Sequence, residues 1–298
     1  MNIKTYLSNQ KAVVERALEQ YMLVADGPFA AHLEAMRYSL FAGGKRLRPI
    51  LCLAAGQAVS AETDNSENLL PIACALECIH TYSLIHDDLP AMDDDDLRRG
   101  KATNHVLYGE AGAILAGDGL LTYAFDLLSN ERLGNLDAAR RLKIINIIAR
   151  AAGPEGMVGG QALDIASENT SYPFEVLQTI HRNKTGALIT GSIQAGAIAS
   201  HCSEDELRQL TAYGDNVGLA FQIIDDLLDA TATTEELGKT AGSDEERGKA
   251  TYPAYFGIEK TRSLARQAVD RALESLTGFD NQAEPLRALA RYIYTRGN

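Results

Sequence analysis

The sequence predicts an all-α fold in a single domain spanning residues 1–298, with its site between helices, and three observations predict it. Apolar residues recur mostly at helical spacing, and few runs alternate as half-buried strands must. Gly43-Gly44, Pro90, Gly153-Pro154 and Tyr172-Pro173 cut that pattern into helix-sized pieces. No long Gly/Ser/Pro linker divides the chain, and no solenoid-type repeat is present.

In chain order, the spacing places helices over Gln10–Val24 and Pro28–Phe41, before the Gly43-Gly44 break. Pro49–Val59 follows, with the proline at its start, and then Glu67–His86, which runs up to the Pro90 break. Gly109–Leu128 and Leu136–Ala151 come next, then Pro154–Ser167 beyond the Gly153-Pro154 turn. Tyr172-Pro173 opens a helix over Pro173–Ile198, and Glu204–Leu228, Thr251–Leu276 and Glu284–Tyr294 complete the set. Segments 60–67 and 231–249 read as polar loops, too short or too motif-rich to bound domains.

A hydrophobic content of 46% and a charged content of 23% are those of a soluble globular protein. The formal charge of −12 argues against nucleic-acid binding, which needs a basic face. It leaves anionic substrates open, because local basic islands and metals can hold them. Cys52, Cys74, Cys78 and Cys202 lack zinc-type spacing and read as small buried hydrophobes. The N-terminus has no secretory apolar core and no uninterrupted run approaches a membrane span, so the expectation is a cytoplasmic protein without stable membrane insertion.

Two acidic clusters carry the chemistry. Asp87 to Asp96 gathers six carboxylates into ten residues, and Asp225-Asp226-Leu227-Leu228-Asp229 lies within an apolar run. Like charges about 4 Å apart repel by roughly 4 kcal/mol at an effective dielectric of 20. A cation is the natural neutraliser, and all-oxygen ligands select a hard ion, magnesium, held together with phosphate oxygens. Asp225 and Asp229, one turn apart, share a helix face, whereas Asp226 points about 100° away. Asp87 and Asp93 are about 120° out of register on a straight helix. Pro90 breaks the hydrogen-bond ladder, and a two-residue bulge would return Asp93 to the face of Asp87. The plainer alternatives are a solvated acidic stripe for the second cluster and an exposed acidic turn for the first.

Three basic islands complement the acid. Lys45 and Arg48 share a face just ahead of Pro49, where a helix N-terminus receives anions readily. Arg98-Arg99 follows the first cluster, as phosphate ligands or as compensation for Asp94 to Asp96, and Lys239 and Lys249 lie in the loop after the second. Among six histidines, His80 stands out because its helix enters the first cluster.

Gly43 to Pro49, Asp87-Asp88-Leu-Pro-Ala-Met-Asp93 with Arg98-Arg99-Gly100, Gly160-Gln161-x-x-Asp164, Lys184-Thr185-Gly186 and Phe221-Gln222-x-x-Asp225-Asp226-x-x-Asp229 together resemble the trans-isoprenyl diphosphate synthases, most of all bacterial farnesyl-forming ones. The resemblance implies an all-α homodimer whose helices surround a deep cavity, joining isopentenyl diphosphate to dimethylallyl and then geranyl diphosphate. It implies that Asp87, Asp93 and Asp225 bind about three magnesium ions. Lys45, Arg48, His80 and Arg99 would form the isopentenyl diphosphate pocket. Arg98, Lys184, Gln222, Lys239 and Lys249 would clamp the allylic diphosphate. Thr185 and the Lys184 carbonyl would face the developing cation, with Asp164, Asp229 and Asp244 as outer metal support.

By the same resemblance Tyr82 and Ser83 set product length, and an aromatic residue at Tyr82 implies a fifteen-carbon product. A geranylgeranyl-forming enzyme is the alternative. A terpene cyclase would normally lack the basic pocket of Lys45, Arg48 and Arg99. An HD-type phosphohydrolase, suggested by His86-Asp87, leaves the Asp225 cluster unexplained. A catalytically idle partner subunit would have eroded acidic clusters, and both are intact here.

Overall fold

The computed structural model describes residues 1–60, 65–168, 170–231 and 250–295, and among them the fold is all-α apart from one two-residue ribbon. The helices are α1 Ile3–Tyr21, α2 Ala30–Leu40, α3 Leu47–Val59, α4 Ser66–Asp87, α5 Asn104–Ser129, α6 Ala138–Ala152, α7 Met157–Ser167, α8 Phe174–Ile180, α9 Ala187–Ala199, α10 Glu204–Thr231, α11 Tyr252–Phe256, α12 Ile258–Glu274 and α13 Glu284–Thr295. The ribbon pairs β1 Leu97–Arg98 with β2 Lys101–Ala102, antiparallel.

Helices apolar all round must be buried, and α4 and α9 are the central pair in that sense. Ala73, Cys74, Ala75, Leu76 and Ile79 of α4 and Leu188, Ile193, Ala195 and Ala197 of α9 are fully inaccessible. Around them, α5 packs on α4, α3 and α6 on α9, and α12 on α10. Two buried polar contacts tie these helices together. The Tyr213 hydroxyl of α10 donates to the Leu286 carbonyl of α13 at 2.7 Å. Arg46 donates to Glu77 at 2.7 Å and to the Leu40 carbonyl at 2.8 Å, fixing the α2–α3 turn to the middle of α4. All four cysteines are unpaired, and burial pushes the Cys52 and Cys78 thiols up to about 12.

Several boundaries differ from the sequence expectation. Helix α1 starts seven residues before Gln10, where the Asn2 side chain caps the Thr5 amide at 3.1 Å. Helix α3 begins at Leu47, before Pro49, because Arg46 takes a left-handed conformation (φ 53°) that turns the chain. The expected Pro173–Ile198 helix contains a six-residue π segment, His181–Gly186, between α8 and α9. The expected Thr251–Leu276 helix is broken at Gly257 (φ 73°), a conformation that favours glycine. Helices α4 and α5 are long and apolar enough to cross a membrane by length and composition, although Glu77 interrupts the first and Glu110, Asp118 and Asp126 the second. The apolar window of α4 is 72% buried in the bundle and that of α5 only 39%, so α4 is a core helix while α5 keeps an open apolar side.

Candidate active site

A cavity of about 360 Å³ lies between α4, α7 and the π segment. Arg48, His80, Asp87, Lys184 and Thr185 line it together with Tyr82, Ser83 and Met92, so these expected site residues share one space.

Asp87 ends α4, and the Asp93 amide donates to its carbonyl at 2.8 Å. An α-turn would make that bond four residues on. Here it is six, so two extra residues are inserted and Asp93 returns to Asp87. Burial, reinforced by Asp93, pushes the Asp87 carboxyl up to about 6 against the opposing pull of Lys184. Asp88 turns inward instead and is buried. Its two oxygens accept from Arg98 Nε at 2.7 and 2.9 Å, which anchors the strand after the acidic turn.

The basic side is built on the Gly43–Pro49 turn. Arg99, itself at φ 55°, donates from Nη1 to the Gly43 carbonyl and lies over Gly44. Burial lowers the Arg48 guanidinium to about 10, still cationic near neutrality, and its Nε has no hydrogen-bond partner. Burial and then Arg48 and Arg99 push His80 well below the usual imidazole range, so it is neutral. Its Nδ1 and the Gln161 Oε1 on the same cavity wall also lack partners. Unpartnered buried polar groups carry a desolvation cost unless a ligand answers them. Lys45 is exposed at the turn.

Across the cavity, Lys184 donates to Asp164 at 2.7 Å from the π segment. Gly160 of α7 permits this approach, since a Cβ there would lie 2.2 Å from the Lys184 amide nitrogen. Gln222 and Asp225 are half-buried on α10, Asp226 and Asp229 are buried, and Asp225 is not among the cavity-lining residues. Asp226 lies 3.6 Å from His181 at the start of the π segment. Tyr82 is 5% exposed and its ring meets His86 edge-on at 5.7 Å, while the Ser83 hydroxyl donates to the His80 carbonyl. Burial pushes the Tyr82 phenol up to about 12, so it is a neutral wall. Lys239, Asp244 and Lys249 lie outside the described residues.

Among the described residues no three His, Cys, Asp or Glu side chains form a ready metal cluster. The donor chemistry nonetheless fits magnesium, which typically takes one or two carboxylates and fills its remaining positions with waters and phosphate oxygens. A carboxyl held near pKa 6 beside a second carboxylate is a site that a cation would relieve. Sequence reasoning did not single out the Arg46–Glu77 pair, and it named His86 only within His86-Asp87, not as a residue of the cavity wall. The isolated glutamate in Ala75-Leu76-Glu77-Cys78 was the available signal for the former.

The polyprenyl synthetase family model matches residues 30–290. A geranylgeranyl diphosphate synthase of Cyanophora paradoxa is 46% identical, over 100% of this chain and 97% of its own. A farnesyl diphosphate synthase of Geobacillus stearothermophilus is 44% identical, over 99% and 98%. Among solved structures, an FPP/GFPP synthase from Zymomonas mobilis superposes with a TM-score of 0.85 at 41% identity, covering 98% of this chain and 99% of that one. With its acidic turn, basic turn and cavity residues assembled in one helical bundle, the chain belongs to the polyprenyl synthetase family.

Proposed function

We propose that the protein condenses isopentenyl diphosphate with dimethylallyl and then geranyl diphosphate to give the fifteen-carbon farnesyl diphosphate. One observation carries the reading: Asp87, Lys184, Thr185, Arg48 and His80 line the same cavity, with Tyr82 on its wall. Arg48, with Lys45 and Arg99 at its turn, holds the isopentenyl diphosphate, and neutral His80 offers a hydrogen bond rather than charge. Lys184, with Arg98, Gln222, Lys239 and Lys249, holds the allylic diphosphate. Asp87, Asp93 and Asp225 would hold about three magnesium ions, with Asp164, Asp229 and Asp244 behind them. Held by those carboxylates, magnesium would supply neutralisation of the charge on the departing diphosphate.

The allylic carbon–oxygen bond breaks with its electron pair going to the diphosphate, whose negative charge Lys184 stabilises. The Thr185 hydroxyl and the Lys184 carbonyl face the cation left on carbon. The double bond of isopentenyl diphosphate supplies the pair for the new carbon–carbon bond, and the released diphosphate takes the proton that is lost. Met92 and the buried Met157 give the cavity walls apolar surface, which disfavours water beside the cation. We further propose that the enzyme acts in the cytoplasm as a homodimer.

Tyr82 supports the fifteen-carbon length, while the similar proteins include both farnesyl and geranylgeranyl synthases. The test is labelled isopentenyl diphosphate with each allylic primer, with and without magnesium, and the products sized. A fifteen-carbon product that needs magnesium is expected, with Tyr82→Ala shifting it to twenty carbons. Turnover that survives chelation defeats the whole reading. A twenty-carbon product from the parent chain, or an unshifted one from Tyr82→Ala, removes Tyr82 as the floor.

A further inference from the structure

Asp226 stands beside a proposed magnesium ligand in sequence, yet its surroundings differ. It is 6% exposed, and its Oδ2 accepts the Tyr252 amide at 2.9 Å. Tyr252 is the first residue of α11, where a main-chain amide has no partner inside its own helix. The other oxygen, Oδ1, lies 3.6 Å from His181 Nε2 at the head of the π segment. The imidazole stacks on the Tyr252 ring at 5.6 Å and 17°, and Phe174 of α8 meets that ring edge-on at 5.1 Å. One carboxylate of α10 thus joins the π segment and α11, both buried at the contact.

Resting on the function proposed above, we propose that Asp226 is a positioning residue and not a magnesium ligand. Its carboxylate latches the Tyr252 amide to α10, and the Tyr252 ring, stacked on the neutral His181 imidazole, carries that hold to the π segment and so keeps Lys184 and Thr185 in register with Asp225. Helix geometry agrees, because consecutive residues point about 100° apart and the two carboxylates cannot serve one ion equally. Arg48 and His80 sit on α3 and α4 rather than on the elements that Asp226 joins. Losing the latch therefore weakens allylic diphosphate binding and spares isopentenyl diphosphate.

The experiment compares Asp226→Asn, Asp226→Ala and Asp225→Asn by kinetics and by hydrogen exchange. Asp226→Asn keeps an oxygen for the Tyr252 amide but is a poor magnesium ligand. Its half-saturating magnesium concentration is expected within about twofold of the parent, whereas Asp225→Asn raises it about tenfold or more. Asp226→Ala is expected to raise the KM for the allylic diphosphate about tenfold with the isopentenyl diphosphate KM unchanged, and Asp226→Asn restores most of that loss. A merely structural defect would lower the active fraction and move neither KM. In exchange, Asp226→Ala loses protection at residues 181–186 and 252–256 together.

A tenfold magnesium requirement in Asp226→Asn overturns the proposal, even where Asp226→Ala does not fold. So does unchanged protection of both segments in Asp226→Ala. The exchange arm decides the latch independently of turnover, so a parent chain inactive on allylic diphosphates would defeat the functional reading and leave the latch judged on its own.

Discussion

The space a side chain on Gly44 would fill is taken by the Arg99 guanidinium: a Cβ would lie 2.6 Å from Arg99 Nη1, on a backbone at φ 134°. Gly44→Ala therefore both strains the turn and displaces Arg99 from the Gly43 carbonyl. Losing one charge-assisted contact predicts about a tenfold rise in the KM for isopentenyl diphosphate, with the allylic KM unchanged. Steady-state kinetics with each substrate varied would check this, and equal changes in both constants would place Arg99 elsewhere. A second residue-scale prediction concerns acid. Burial depresses the His181 imidazole to about 4, so folding favours its neutral form. The stability this confers is complete above the ordinary value near 6.5 and is lost as pH falls from there toward 4, by about 3 kcal/mol at most. His80 acts in the same direction, and Asp87, raised to about 6, acts in the opposite one. Comparison with His181→Phe isolates the effect: between pH 6.5 and 4 the parent should lose more unfolding free energy than the variant. Equal losses in denaturant titrations would exclude His181. At this scale Asp87 and Asp93 were legible, because a proline between two acids of odd spacing leaves few geometries. Arg46–Glu77 was legible only by half: a glutamate in an apolar run announces that it needs a partner, but not that the partner lies 31 positions away.

Among elements, the long helices were readable from period alone, since α4 and α9 are apolar on every face and α12 on one stripe. The π segment was not. Widening one turn leaves composition unchanged and shifts the periodic pattern by a single residue, which Pro173–Ile198 absorbs without a visible break. The missed start of α1 has a different cause, a cap by Asn2 on a weakly apolar first turn. The Gly160-Gln161 motif was visible, yet its reason is tertiary: α7 must touch the main chain of the π segment at Lys184. Gly160→Ala forces a Cβ to 2.6 Å from Lys184 Cα, against backbone that cannot swing aside. Overpacking of this kind costs about 1–3 kcal/mol. The variant should unfold at lower denaturant and lose affinity for the allylic diphosphate, because Lys184 moves with its backbone. Wild-type stability with wild-type kinetics would mean that the α7 contact is not required.

On the scale of the whole molecule, the open side of α5 is the feature the bundle leaves unfinished. Val106 and Leu107, before the kink at Gly109 (φ 74°), and Ile114 and Leu115, after it, are 48%, 51%, 43% and 58% exposed. Sequence could not reveal this, since an apolar helix reads the same whether its second face meets its own core or another chain. Clustered exposed hydrophobics on a folded surface mark an interaction site. The face is also connected to the cavity. The Ile114 carbonyl lies 3.0 Å from His86 Nε2, which donates to it, and His86 in turn braces Tyr82. If α5 forms the proposed homodimer, then Leu115→Glu places a charge at the centre of that contact and should give a single-chain mass by light scattering. Freed of its partner, α5 no longer holds the Ile114 carbonyl firmly, so the cavity floor loosens along with the interface. The monomer should therefore show lower turnover together with a longer-chain fraction in its products. A parent chain that is monomeric at micromolar concentration would refute the interface, and a monomeric variant with unaltered products would separate the interface from the floor.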